Sequence, residues 1–149
     1  MEILTKNQNR TRKAGELLAK KTLKEPIRRN AFVLALQGDL GGGKTTFLQG
    51  FARGLGIKDR VLSPTFVLMK RFSIRNKKSV FKNFYHLDCY RIKSHKDLSA
   101  LDFKKIISDP FNIVAIEWAE RVKKTLPSNS LVLKFEFINK TTRKIIFKK

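Results

Sequence analysis

Residues Gly38-Asp39-Leu40-Gly41-Gly42-Gly43-Lys44-Thr45 satisfy the spacing G-x-x-x-x-G-K-[ST], in which every fixed position has a job around a chain of phosphates. Glycines let the backbone curl with its N–H groups pointing inward, and a helix starting behind them adds its positive dipole end. Lys44 supplies a mobile point charge for the β- and γ-phosphates, Thr45 a hydroxyl for Mg²⁺, and Thr46 a second hydroxyl behind it. The expected ligand of Gly38 to Thr46 is therefore a nucleoside triphosphate with magnesium.

Such a loop needs a carboxylate at the end of a neighbouring strand to hold the metal, and a group to orient the attacking atom. Acids are scarce, 12 against 33 Lys and Arg, which narrows the search to two. Asp88 ends the run Phe84-Tyr85-His86-Leu87, and Glu117 ends Ile113-Val114-Ala115-Ile116. Both stand where parallel strands deliver side chains to a ligand crevice, with Tyr90-Arg91 after one and Trp118 beside the other. His86 has two readings, a proton relay or a packed, hydrogen-bonded core residue, and the second is the commoner for a lone strand histidine.

The elements that must carry these residues follow from hydrophobic period. Ala31 to Gln37 is a nearly unbroken apolar run, the pattern of a strand covered on both faces. After the glycines, Phe47, Leu48, Phe51 and Leu55 recur at helical spacing until Gly54 and Gly56 stop them. Upstream, Thr11 to Lys24 reads as an amphipathic helix with Thr11 as its N-cap and Ala14, Leu17, Leu18 and the stem of Lys21 facing inward. Thr65 to Phe72 and Val80 to Leu87 read as strands around a basic turn, Leu98 to Ile107 as a short helix or pair of turns, and Asn112 to Trp118 as a second buried strand. Leu131 to Phe137 alternates as a half-buried strand, and Asn139 to Arg143 is the turn of a terminal hairpin. The expected architecture is α/β, three-layer α/β/α like the P-loop NTPases, with a largely parallel central sheet and an antiparallel C-terminal hairpin.

With 149 residues, no repeat and no linker-like stretch, residues 1–149 are expected to form one domain. A single cysteine, Cys89, excludes an internal disulfide and fits a reducing compartment, the cytoplasm by default. No run is apolar enough for a membrane span or signal peptide. The net charge of +21 attracts polyanions. It is spread as +6, +9 and +6 over residues 1–50, 51–100 and 101–149, which reads more as a compositional lysine bias than as one designed groove. Lys70 to Lys82 is the local exception.

Four ordered blocks, GDLGGGKTTF at Gly38 to Phe47, SPTF at Ser63 to Phe66, HLDCYRI at His86 to Ile92 and IEWAER at Ile116 to Arg121, together resemble TsaE (YjeE), the P-loop ATPase family of bacterial tRNA threonylcarbamoyladenosine biosynthesis. The resemblance spans essentially the whole chain. It implies ATP binding and slow hydrolysis in support of a TsaB/TsaD-like complex that modifies adenosine 37 of ANN-decoding tRNAs, with tRNA met through that complex and direct contact open. By position, Lys44, Asp88 and Glu117 resemble the catalytic set, Thr45, Glu117 and Asp88 the magnesium-binding set, and Ser63 to Phe66, with Ser63 and Thr65, a switch-like segment facing the γ-phosphate. Trp118 falls within the IEWAER block, beside the nucleotide. Thr11 resembles an N-terminal residue near the adenine and Arg143 a C-terminal one near the nucleotide. Two positions depart from the family pattern: Ala119 replaces its usual Pro, which loosens the turn after Trp118, and Gly42 its usual Ala.

Two other classes share the loop. A small-molecule kinase normally carries an arginine-bearing mobile lid, and Arg71 to Lys82 is basic but short and without glycine hinges. A nucleic-acid-binding protein with a regulatory loop would draw on the charge and on Phe72, Phe81, Phe84 and Tyr85 interleaved with cations.

Overall fold

The computed structural model describes residues 1–38, 41–59, 61, 69–93 and 95–148. In chain order the elements are β1 (Glu2–Thr5), α1 (Gln8–Leu23), β2 (Phe32–Gly38), α2 (Lys44–Gly54), β3 (Met69–Ser73), β4 (Asn83–Asp88), α3 (His95–Ser99), α4 (Phe103–Ser108), β5 (Asn112–Glu117), a 3₁₀ segment (Ala119–Thr125), β6 (Leu131–Phe137) and β7 (Arg143–Lys148). One seven-stranded sheet runs in the order β1-β7-β6-β2-β5-β4-β3. The centre, β6-β2-β5-β4, is parallel, and the β1-β7, β7-β6 and β4-β3 pairs are antiparallel. The α/β class and the antiparallel terminal hairpin are as the sequence suggests.

β2 has no polar face because it is covered twice. Phe32, Leu34 and Leu36 pack with Phe47, Leu48 and Phe51 of α2 on one side, while Val33 and Ala35 pack with Leu98, Phe103 and Ile106 of the α3–α4 region on the other. Helix α2 and the α3–α4 region thereby cover the two faces of the parallel strands, as a parallel sheet requires.

The first helix differs from its sequence reading in two ways. Its N-cap is Asn7, whose side chain accepts the Arg10 N–H at 2.8 Å, so the helix begins a turn earlier. Thr11 lies inside the first turn, buried, its hydroxyl sharing a 2.6 Å hydrogen bond with that of Thr5. Leu17 is 56% exposed. The buried stripe is made of Thr11, Gly15, Ala19 and Thr22. Small residues win this face because α1 and α2 cross in backbone contact: a methyl group on Gly15 would overlap the Phe47 carbonyl, and one on Gly50 the Arg12 carbonyl. Leucine has no room there. The strand β1 carries no signal in the sequence, being short, partly exposed and at the sheet edge.

Phe72, Phe81 and Phe84 are also placed differently from the interleaved reading. All three are buried in the core, Phe72 and Phe84 stacked at 5.9 Å and Phe84 beside Phe51. They are not available to stack on bases.

Gly50→Ala should reveal how tight the helix crossing is. Helix propensity favours alanine by about 1 kcal/mol, but the overlap with Arg12 forces the helices apart at a cost of about 3 kcal/mol. A net loss of about 2 kcal/mol is expected in urea denaturation; a raised midpoint would show that the two helices separate without penalty.

Candidate functional site

The C-terminal ends of β2, β4 and β5 deliver Gly38, Asp88 and Glu117 to one edge of the sheet. Asp88 and Glu117 are register partners on neighbouring parallel strands, so their side chains start side by side. Behind Gly38 the chain passes through the glycine loop, of which Asp39 and Leu40 lie outside the described residues, as do Ser63, Thr65 and the rest of Ser63 to Phe66. Gly43 takes φ +98° as the residue that caps α2, a left-handed conformation that favours glycine. A side chain at Gly43 would also crowd Arg143 and touch Thr11.

Glu117 is the hub of the polar contacts. It is 3% exposed, and its two oxygens are divided: the Thr45 hydroxyl donates to Oε1 at 2.9 Å, and His86 Nε2 lies 2.6 Å from Oε2. His86 is itself 1% exposed. The core-residue reading of this histidine is right about burial, but its partner is the strand-end carboxylate of the site. A buried carboxylate is costly unless hydrogen-bonded or paired, and here both oxygens are engaged from different elements.

The Lys44 ammonium donates to the Gly38 carbonyl at 2.6 Å and lies 4.2 Å from the centre of the Trp118 ring. Trp118 has φ +58°, which turns the chain off β5 directly after Glu117, and Ala119 following it is fully buried. Tyr90 packs against Trp118 with ring centres 5.0 Å apart, and the Arg121 guanidinium stands over both rings. From the far side, Arg143 at the start of β7 donates through Nε to the Gly41 carbonyl at 2.7 Å and through Nη1 to the Asn139 carbonyl at 2.6 Å.

These residues enclose a cleft of about 520 Å³ lined by Gly41, Gly42, Gly43, Lys44, Thr45 and Thr46, by Asp88, Glu117 and Trp118, and by Thr11 and Arg143. Thr11 and Arg143, more than a hundred residues apart, thus meet at one loop. The lining also includes Gln8, Tyr90, Arg91, Lys140 and Thr141. Tyr90 and Arg91 were visible only as neighbours of Asp88, and Lys140 and Thr141 only as a hairpin turn. Glu120 carries a contact that sequence alone does not suggest, accepting the Gly38 N–H at 3.1 Å; its signal was an acid one turn past Glu117.

Thr45, Glu117 and Asp88 offer oxygen donors alone, the chemistry magnesium takes, and few enough for an ion that completes its octahedron with phosphate oxygens and water. Among the described residues no group of three or more His, Cys, Asp or Glu gathers into a cage. The residues present fit magnesium in the company of phosphates.

The family model described as threonylcarbamoyl adenosine biosynthesis protein TsaE matches residues 5–145. The chain belongs to the TsaE family. Among relatives named tRNA threonylcarbamoyladenosine biosynthesis protein TsaE, that of Bacillus subtilis is 36% identical over 77% of this chain and 68% of its own length, and that of Rickettsia felis 30% identical over 95% and 75%. The crystal structure of Bacillus subtilis YdiB superposes with a TM-score of 0.70 at 31% identity, covering 99% of this chain and 83% of that one. Within the TsaE fold of this chain, the IEWAER block is thus the end of β5, the αL turn at Trp118 and the start of the 3₁₀ segment, and the HLDCYRI block the end of β4 and the turn after it.

Cys89, fully buried beside Asp88, has its thiol pushed up to about 12, first by burial and then by the Asp88 charge. The thiol is the form the fold prefers, so this contribution to stability is complete below the unfolded value of 9.0 and is lost as pH rises toward about 12. At about pH 8 the folded protein should hold about a thousandfold less thiolate than the unfolded chain. Iodoacetamide is expected to label Cys89 rapidly only in urea; equal labelling rates with and without urea would contradict this burial.

Proposed function

We propose that the chain binds Mg·ATP in this cleft and hydrolyses it slowly, supporting threonylcarbamoylation of adenosine 37 in ANN-decoding tRNAs by a TsaB/TsaD-like complex in the cytoplasm. The observation that carries the reading is Glu117, buried at the end of a parallel strand and hydrogen-bonded to Thr45, the loop residue whose hydroxyl serves magnesium in such sites. The family membership and the cleft agree with it.

In this reading the inward N–H groups of Gly41 to Thr45 and the start of α2 receive the phosphates, and Lys44 leaves the Gly38 carbonyl and the Trp118 face for the β- and γ-phosphate oxygens. Thr45 and Glu117 hold magnesium, with Asp88 reaching it directly or through water. Magnesium, when bound, neutralises charge on the phosphate oxygens. His86 fixes the orientation of the Glu117 carboxylate from behind, the arrangement that lets a ligand meet a metal without reorganising. Asp88, on the strand beside Glu117, orients the attacking water. Thr11 and Arg143 flank the nucleoside end. The segment Ser63 to Phe66 is assigned to sensing the γ-phosphate, on resemblance alone.

Purified protein should release phosphate from Mg·ATP without any added acceptor, which separates a hydrolase from a kinase, and faster with the partner subunits. Lys44→Ala should abolish ATP binding, and unchanged binding would sink the proposal. Glu117→Gln is expected to slow turnover about a hundredfold, and His86→Gln to raise the magnesium requirement about tenfold. Because Trp118 is the only tryptophan, withdrawal of Lys44 from its ring should change intrinsic fluorescence on nucleotide binding, a change that Lys44→Ala removes.

A further inference from the structure

The hairpin formed by β3 and β4 carries a charge pattern that the nucleotide cleft does not use. Lys70, Arg71, Arg75, Lys77, Lys78 and Lys82 are all exposed, and between Met69 and Leu87 the sequence has no acid. Among the described residues none of the six forms an ion pair. By contrast, cations on α1 and in the following turn do meet carboxylates, Lys20 with Glu16 and Arg28 with Glu25.

The tip between the strands is held in one shape. The Ile74 N–H donates to the Lys82 carbonyl at 2.8 Å, Asn76 Oδ1 accepts the Lys78 N–H, Ser79 Oγ accepts the Phe81 N–H, and Ile74 and Phe81 are buried beneath. Cations on such a frame lose little backbone freedom when they meet a ligand. With Phe72, Phe81 and Phe84 in the core and Tyr85 half-buried against it, the hairpin exposes mainly cations. It therefore suits the phosphate backbone of a nucleic acid rather than its bases, a mode that fixes position and is blind to sequence. The tip, with Arg75, Lys77, Lys78 and Lys82, lies beyond the start of β4, about one strand length from Asp88 at its end, while Lys70 and Arg71 stand opposite His86 and Tyr85.

We propose that this hairpin is a phosphate-backbone contact surface for RNA, through which the chain touches tRNA directly. The choice of RNA rests on the tRNA-modification reading above; the surface itself rests on the six cations and the pinned tip. The rival is general attraction by the net charge, and it is separable because a charge-matched change elsewhere should then act equally.

The test is fluorescence anisotropy of a labelled, unmodified tRNA transcript titrated with the full-length protein over roughly 50 to 300 mM KCl. Lys77→Glu/Lys78→Glu is compared with Lys123→Glu/Lys124→Glu on the 3₁₀ segment, two exposed pairs that each lower the net charge from +21 to +17. The hairpin pair should bind at least about tenfold more weakly, with a log–log salt slope shallower by about 1.5. The control pair should stay within about threefold of the unaltered protein. Equal losses in the two variants, or absence of salt-dependent binding by the unaltered protein, would overturn the proposal. Phosphate release from Mg·ATP is measured on every sample: turnover by the unaltered protein without salt-dependent tRNA binding rejects the hairpin surface and leaves the ATPase reading standing, whereas a hairpin variant that keeps turnover and loses tRNA binding supports the surface.

Discussion

The carboxylate of Glu117 has to be satisfied at the floor of the cleft with only 3% of its surface exposed, and much of the architecture follows from how that is done. One oxygen is met by Thr45 from the first turn of α2 and the other by His86 from β4. The hydrogen bonds therefore join a helix and two strands at a single group. Removing either donor leaves an unmatched acceptor in a low-dielectric setting, where the penalty is larger than the bond was worth. The arrangement holds Thr45 and Glu117 within hydrogen-bond distance before any ligand arrives, which is the preorganisation a phosphate site needs.

That hub works only if α2 enters the sheet edge at the right angle, and the angle is set on the other side of the helix. Gly15 on α1 and Gly50 on α2 allow the two backbones to touch, so α1 braces α2 from outside while Phe47, Leu48 and Phe51 anchor it to β2. The same crossing brings Thr11 to Gly43. Packing chosen for helix contact thus also sets one wall of the cleft.

What the sequence disclosed was whatever is local and periodic. The strand, glycine loop and helix between Ala31 and Leu55 were legible because burial on both faces and helical spacing leave direct marks. Asp88 and Glu117 were legible because an acid that ends an apolar run stands out against its neighbours, and so few acids compete with it. The N-cap at Asn7 was missed because both Asn7 and Thr11 satisfy the local preference and tertiary packing decides between them: Thr11 is wanted by Thr5. Leu17 was misplaced for a related reason, since hydrophobicity marked one face while the space available on α2 selected another. The partnership of His86 with Glu117 joins residues 31 apart, and no spacing rule encodes it. Phe72, Phe81 and Phe84 show the converse error, in which a composition suggestive of nucleic-acid stacking proved to be ordinary core.

The latch from Arg143 to Gly41 has a consequence for the order in which the molecule is made. Its partners are separated by 102 positions, and Arg143 belongs to the last strand, which in turn pairs with the first, Thr5 opposite Arg143 and the Met1 carbonyl accepting the Phe147 N–H. During synthesis the glycine loop emerges early, together with the strand and helix on either side of it. The wall that Arg143 provides, and the strand β7 that ties Thr5 of β1 to it, are made 102 positions after Gly41. A growing chain can therefore form the phosphate-facing half of the cleft well before the whole cleft exists, and the pairing of β1 with β7 makes completion of the pocket a late step of folding, as contacts of long sequence separation tend to be.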